Sequence, residues 1–135
     1  MPEALVESRR SLLIVDDCRD WTDSLAILGR SWGYEVEVAN SGPEAIRLAS
    51  GRRPALTVLD LGMPGMDGYE VARRLRSMPG VEGALVVAVS GYSGEEHMRR
   101  SREAGCDFHL TKPVDLAHLQ RLLTASGRER GTTAE

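Results

Sequence analysis

Residues 56–68, LTVLDLGMPGMDG, join an apolar run to a loop rich in glycine and proline, with a single acid at the junction. The apolar run predicts a buried strand, and Gly62, Pro64 and Gly65 predict the loop that follows it. The strand carries Asp60 to its own carboxyl end, which is where open α/β sheets keep their active sites. Asp60 is therefore the first candidate functional residue.

Four further stretches have the composition of strands, and each is followed by a helical pattern. They cover residues 11–15, 34–39, 84–89 and 107–110. The first, third and fourth strands are apolar throughout, which is typical of central parallel strands, whereas the second alternates and the fifth is short. Five strand–helix repeats predict a parallel sheet with helices on both faces. The expected fold is α/β, a flavodoxin-like (βα)5 three-layer sandwich with strand order 2-1-3-4-5.

Capping residues in the sequence predict where the helices begin. Ser41, Asp67 and Asp115 each precede a helical pattern as capping residues, and Ser93 stands in the same way before the fourth helix. The fourth helix, residues 95–104, has few apolar side chains. We therefore expect it to pack weakly and to be a mobile element.

The composition is that of one globular domain of 135 residues, with 41% hydrophobic and 27% charged residues. We expect the domain at residues 11–126, between a flexible N-terminus at 1–10 and a flexible polar tail at 127–135. The net charge of −3 does not suggest a nucleic-acid surface, and neither a membrane span nor a signal peptide is predicted. Cys18 and Cys106 have no metal or redox spacing, which fits small packed side chains in a reduced, cytoplasmic protein.

Polar side chains follow four of the predicted strands. They are Asp16 and Asp17, Asp60, Ser90 and Lys112. Because the carboxyl ends of parallel strands meet at one edge of a sheet, these groups are expected to converge. Three crowded carboxylates repel one another unless a cation joins them. Oxygen ligands with room for water suit Mg²⁺, and the backbone carbonyl of Gly62 can complete its shell.

These groups together are suited to phosphoryl transfer. Asp60 would attack phosphorus and become an aspartyl-phosphate, while Lys112 and Ser90 would hold the phosphoryl oxygens. Each residue alone has an ordinary interpretation, such as a helix cap for an acid of the first strand or a solvated side chain for Lys112. Their joint placement at strand ends favours the site.

Four motifs carry a resemblance to a known family. They are VDD (residues 15–17), LDLGMPGMDG (59–68), VAVSGY (87–92) and LTKP (110–113). In this order, each at a predicted strand end, they resemble the receiver domain of two-component response regulators over residues 10–125. The resemblance implies a chemotaxis-regulator-like single domain in a two-component phosphorelay.

The resemblance implies a role for each strand-end residue. Asp60 would be the phosphoacceptor, taking a phosphoryl group from a histidine kinase or a histidine phosphotransfer protein. Asp17 would bind Mg²⁺ directly and Asp16 through water, and Mn²⁺ would substitute for Mg²⁺. Lys112 would contact the phosphoryl group, and Ser90 would move toward it on activation.

The resemblance also implies switch positions. The Lys112–Pro113 peptide bond is cis in this family. Many members carry tyrosine or phenylalanine three residues before the lysine, but this chain has His109 there, as do receivers of hybrid kinases and phosphorelays. Imidazole titrates near neutrality, so His109 would make the switch pH-sensitive. Tyr92 is expected to hinder the water that hydrolyses the acyl phosphate.

The expected function is a stand-alone signalling switch that catalyses only its own phosphoryl transfer and autodephosphorylation. Besides the phosphodonor, it would bind an effector protein through the fourth helix, fifth strand and fifth helix, without contacting nucleic acid or membrane. Three alternatives stay open: a receiver fragment of a hybrid histidine kinase, an aspartate-nucleophile phosphatase and a non-phosphorylated binding module. The phosphatase is disfavoured because such enzymes place two acids one residue apart on the first strand, whereas Asp16 and Asp17 are adjacent.

Overall fold

The computed structural model describes residues 10–92 and 94–132, with side chains up to residue 125. Strands and helices alternate through this part of the chain, as the sequence predicts. The elements are β1 (Ser11–Val15), α1 (Arg19–Ser31), β2 (Glu35–Ala39), α2 (Gly42–Arg52), β3 (Leu56–Asp60), α3 (Gly68–Arg76), β4 (Leu85–Ser90), α4 (Glu95–Ala104), β5 (Phe108–Thr111) and α5 (Leu116–Thr132).

The sheet is parallel, with the strand order β2-β1-β3-β4-β5, so the predicted topology is confirmed. Its register brings the ends of neighbouring strands to one edge. Val15 of β1 lies opposite Leu59 of β3, and Asp60, the next residue, lies opposite Val89 of β4. Polar residues at the ends of different strands are therefore neighbours in space.

Two hydrophobic clusters cover the two faces of the sheet, because alternate residues of a strand point to opposite faces. Leu13 of β1 packs in the cluster that also contains apolar residues of α2, α3 and α4. Leu12, its neighbour in sequence, packs in the cluster that contains Leu25 of α1 and Leu119 of α5. The three-layer architecture follows directly from this alternation.

Side-chain caps begin three of the helices, at the residues that the sequence predicts. Ser41 Oγ accepts from the N–H of Glu44 at 3.2 Å, and Asp67 Oδ1 accepts from the N–H of Glu70 at 3.0 Å. Asp115 Oδ1 likewise accepts a hydrogen bond at the start of α5. These caps satisfy N–H groups that have no partner within the helix.

Helix α4 has little apolar surface in contact with the rest of the fold. Its buried residues are Ser101 and Ala104, and Met98 is 37% exposed. Gly94 precedes the helix without a side-chain cap, and the predicted cap, Ser93, lies outside the described residues. The structure thus agrees with weak packing of this helix.

Helix α5 continues to Thr132, into the stretch 127–135 that was expected to be a polar tail. The prediction of a tail from residue 127 was therefore wrong for the backbone up to 132. Polar composition does not end a helix, since arginine and glutamate are good helix formers, and the helix here runs through Gly127 and Gly131 with no proline to stop it. The remaining terminal residues, 1–9 and 133–135, lie outside the described part of the chain. Among the helices that are described, none is long and apolar enough to cross a bilayer.

Candidate functional site

Three carboxylates meet at the carboxyl edge of the sheet. Asp16 and Asp17 follow β1, and Asp60 ends β3. One oxygen from each lies within 4.8 Å of the others. Asp16 and Asp60 are buried, at 3% and 6% exposure, whereas Asp17 is exposed at the opening. Such a cluster can bind a metal ion that enters from solvent.

Short backbone turns orient the two buried carboxylates. Asp16 Oδ1 accepts from the N–H of Cys18 at 3.0 Å, and Asp60 Oδ1 accepts from the N–H of Gly62 at 3.1 Å. Burial raises the pKa of the Asp16 carboxyl, and the charge of Asp60 adds to this effect, while the Cys18 N–H opposes it. Keeping these buried carboxylates ionised therefore costs free energy, and a bound cation would lower that cost.

Lys112 supplies a positive charge to the same cluster. Its Nζ lies 3.5 Å from Asp60 Oδ1 and 3.7 Å from Asp16 Oδ2, and its side chain is 41% exposed. The backbone N–H of Lys112 donates to the Ser90 carbonyl at 2.8 Å, which fixes the end of β5 against the end of β4. The Lys112–Pro113 bond has the cis form that the resemblance implies. One ammonium does not neutralise three carboxylates, so the donor set fits a divalent cation.

Ser90 ends β4, and its hydroxyl is engaged with its own loop. The residue is 3% exposed, and its Oγ accepts from the N–H of Tyr92 at 3.0 Å. The strand register places the neighbouring residue, Val89, opposite Asp60. Ser90 therefore directly follows the residue that pairs with Asp60, and its hydroxyl helps to fold the loop after β4.

Tyr92 makes contacts that the sequence does not reveal. Its ring is 65% exposed and stacks on the ring of His97 in α4, with centroids 5.1 Å apart and planes inclined by 18°. Its carbonyl oxygen lies 3.1 Å from His109 Nε2. The Nδ1 atom of His109 is buried without a hydrogen-bond partner among the described residues. His109 thus contacts the loop that follows Ser90.

Gly68 is a further residue on which the site depends. A Cβ atom at this position would lie 2.3 Å from the Asp60 carbonyl oxygen and 2.6 Å from the Leu61 Cα. The start of α3 therefore packs directly on the backbone that carries Asp60. The sequence places Gly68 in the loop motif but does not disclose this contact, because it joins backbone atoms of separate turns.

A cleft of about 350 Å³ opens beside the cluster, with mostly apolar walls from the start of α1 and the β5–α5 connection. Trp21 and Asp16 both line it, so the Trp21 ring lies near the acids. Cys18 also lines the cleft and is exposed, so the expectation of a packed side chain was wrong for Cys18. Cys106 is buried, and burial raises the pKa of its thiol.

The sequence matches the response regulator receiver domain over residues 12–124. The chain therefore belongs to this family of two-component signalling proteins. Receiver domains are signalling switches rather than classical enzymes, and the family acts between histidine kinases and downstream effectors. The acidic pocket of Asp16, Asp17 and Asp60 fits the magnesium and phosphorylation chemistry of the family.

Relatives of different lengths share this domain. The chain is 36% identical over 116 residues to a 14.6 kDa protein of Leptolyngbya boryana, with 86% of this chain and 88% of the relative covered. It is 40% identical over 123 residues to the transcriptional regulatory protein PrrA of Mycobacterium tuberculosis, with 91% of this chain covered. The chain spans 52% of PrrA, so about half of that relative has no counterpart here.

Solved structures of receiver domains have the same fold. A CheY-like receiver domain of Methanospirillum hungatei superposes with a TM-score of 0.86 at 27% identity, covering 93% of this chain and 98% of that one. The receiver domain of the sensor histidine kinase PA1611 of Pseudomonas aeruginosa superposes with a TM-score of 0.78 at 26% identity, covering 87% and 96%. The PA1611 structure holds a magnesium ion in its active-site cleft.

Proposed function

We propose that this protein is a Mg²⁺-dependent phosphorylation switch that accepts a phosphoryl group on Asp60 from the phosphohistidine of a histidine kinase or a histidine phosphotransfer protein. The observation that carries the proposal is the convergence of three carboxylates with an ammonium. Asp16, Asp17 and Asp60 offer oxygens within 4.8 Å of one another, and Lys112 Nζ lies 3.5 Å from Asp60.

In the transfer step, a carboxylate oxygen of Asp60 forms a bond to phosphorus as the phosphorus–nitrogen bond of the phosphohistidine breaks. The electron pair of that bond returns to the imidazole nitrogen of the donor, so no oxidant or other reactant is needed. Lys112 would neutralise a phosphoryl oxygen, a role supported by the 3.5 Å between its Nζ and Asp60 Oδ1. Ser90 would leave the N–H of Tyr92 and turn its hydroxyl toward the phosphoryl group.

Asp16, Asp17, Asp60 and the backbone carbonyl of Gly62 would hold the divalent cation, Mg²⁺ or Mn²⁺ in its place. When bound, the cation supplies positive charge to the phosphoryl oxygens. The burial of Asp16 and Asp60 supports this assignment, because buried carboxylates gain most from a cation. The magnesium ion reported for the PA1611 receiver domain is consistent with it.

The output of the switch would pass through the α4–β5–α5 face to an effector protein in the cytoplasm. Ser90, Tyr92, His109 and the cis bond before Pro113 would form the switch region. Support comes from the weak packing of α4 and from the contact between His109 and the loop after Ser90. We infer a stand-alone receiver, with a receiver segment of a hybrid histidine kinase as the alternative.

The test is phosphorylation of the full chain with acetyl phosphate and Mg²⁺, followed by mass spectrometry. Asp67→Asn is the matched control for Asp60→Asn, because Asp67 lies in the same loop motif but caps α3. We expect one added phosphoryl group on the wild type and on Asp67→Asn, and none on Asp60→Asn. Labelling that survives Asp60→Asn contradicts the proposal, and an unlabelled wild type favours a non-phosphorylated binding module.

A further inference from the structure

Asn40 does not belong to the acidic cluster, but its side chain contacts the backbone that carries two of the acids. It lies directly after β2 and before Ser41, the residue that caps α2. Its half-buried side chain reaches the connection between β1 and α1. There, Asn40 Nδ2 donates to the backbone carbonyl of Asp16 at 2.8 Å.

The carbonyl that Asn40 holds belongs to the peptide unit that joins Asp16 to Asp17. A peptide unit is planar, so the direction of its C=O bond sets the orientation of the residues on both sides. The N–H of Asp16 is held as well, since it donates to the Ala39 carbonyl at 3.1 Å. The end of β2 thus fixes the backbone on which two of the three acids stand.

Both N–H groups and the carbonyl oxygen of the Asn40 amide have a hydrogen-bond partner. Its second Nδ2 hydrogen is directed to Thr22 Oγ1 at 3.1 Å, and its Oδ1 accepts from Arg19 Nη1 at 3.2 Å. The Thr22 hydroxyl is free to accept, because its own hydrogen is donated to the Arg19 carbonyl at 3.1 Å. Rotating the amide by half a turn would set oxygen against the Asp16 carbonyl and hydrogens against a guanidinium. The partners therefore determine a single orientation of the amide.

We propose that Asn40 is a positioning residue for the divalent cation, because its amide orients the Asp16–Asp17 peptide so that both carboxylates face one ion. This inference rests on the proposed Mg²⁺-dependent function. The role differs from simple packing, since the hydrogen bond acts on the peptide that links two ligands. Removing a group that supports metal ligands from behind typically weakens metal affinity about 10- to 100-fold.

The test compares Asn40→Ala with Glu44→Ala in the full chain. Glu44 Oε1 accepts from the backbone N–H of Asn40 at 2.8 Å, so the control loosens the same turn without touching the Asp16 carbonyl. Mn²⁺ binding is measured by electron paramagnetic resonance, with Mg²⁺ as competitor, and thermal stability is recorded in parallel. We expect Asn40→Ala to bind both ions about tenfold more weakly, and Glu44→Ala to bind them with nearly the affinity of the wild type.

A second measurement separates ion affinity from the chemical step. The rate of phosphorylation of Asn40→Ala by acetyl phosphate should fall at low Mg²⁺ and recover at saturating Mg²⁺. Unchanged ion affinity in Asn40→Ala, or an equal loss in Glu44→Ala, overturns the positioning role. A wild-type chain that binds neither ion overturns the proposed function as well, so the two failures are distinguishable.

Thr22→Val keeps the inference testable if Asn40→Ala does not fold. The change is close to isosteric and removes the acceptor of the second amide hydrogen at a fully buried position. The freed amide should turn away from the Asp16 carbonyl in part of the molecules. We expect a smaller loss of Mn²⁺ affinity than for Asn40→Ala, and an unchanged affinity in Thr22→Val overturns the inference.

Discussion

Asp16 combines burial with charge. It is 3% exposed, and burial raises the pKa of its carboxyl, with the nearby charge of Asp60 acting in the same direction. The N–H of Cys18 and the ammonium of Lys112 lower this pKa but do not cancel the effect of burial. The ionised Asp16 carboxylate is therefore less well solvated in the metal-free fold than in the unfolded chain.

The replacement Asp16→Asn should raise the free energy of unfolding of the metal-free protein at neutral pH. Because the pKa of Asp16 is higher in the folded state, its ionisation destabilises the fold above that pKa, and the effect disappears as pH falls below the ordinary value of 3.8. We expect a gain of about 1 kcal/mol at neutral pH, the scale of a single stabilising change, and none at low pH.

Urea unfolding in the presence of a chelator measures this gain across the pH range. Asp23→Asn is the control, since Asp23 is an exposed acid on α1. Asp16→Asn should also weaken Mg²⁺ binding. The carboxylate that destabilises the metal-free fold would then be one that the bound cation needs. Equal effects of the two substitutions on stability would show that burial of Asp16 has no such cost.

At the scale of elements, the start of α3 lies so close to the end of β3 that no side chain would fit at the contact position. Gly68 begins α3, and the absence of a Cβ atom lets the helix approach the backbone of Asp60 and Leu61. The Asp67 cap sets the start of the helix at this point. The position of the proposed phosphoacceptor thus depends on how one helix begins.

We expect Gly68→Ala to destabilise the fold by about 1–3 kcal/mol, as overpacking does, and to slow phosphorylation. The added Cβ would lie 2.3 Å from the Asp60 carbonyl oxygen, so backbone must shift. Thermal unfolding and acetyl phosphate labelling measure the two effects. Gly51→Ala in α2 is the control, because a Cβ there meets no atom within 4 Å. Normal labelling of Gly68→Ala would mean that Asp60 tolerates the shift.

For the whole molecule, stability comes from two hydrophobic layers, one on each face of the sheet. The layers differ in which helices they engage. Helices α2, α3 and α4 cover one face, and α1 and α5 cover the other. The acidic site lies at the edge shared by both layers, so it needs the whole sheet to be assembled.

Leu119→Ala should lower the free energy of unfolding by about 2–5 kcal/mol, as other large-to-small changes in cores do. Leu119 is 0% exposed and anchors α5 to the sheet. Ile27→Ala is the control, because Ile27 is 67% exposed and its loss should change stability by no more than about 0.5 kcal/mol. Chemical denaturation of both variants measures whether the packing of α5 contributes to the free energy of unfolding.

The sequence by itself determined the order of strands and helices, three of the helix starts and the set of polar residues at strand ends. These features rest on local patterns, such as the apolar run before Asp60 or the spacing of Asp67 and Glu70, which act within a few residues. The end of α5 was predicted less well than its start, because no local signal in the sequence marks where this helix stops. The helix continues to Thr132.

Only the tertiary structure decided how distant residues meet. Asn40 contacts Asp16 across 24 positions of sequence, and His109 contacts the Tyr92 carbonyl across 17. The close approach of Gly68 to Asp60 likewise joins backbone atoms that no side-chain pattern encodes. The physical reason is that these contacts depend on the register and packing of separate elements, which exist only once the sheet has formed.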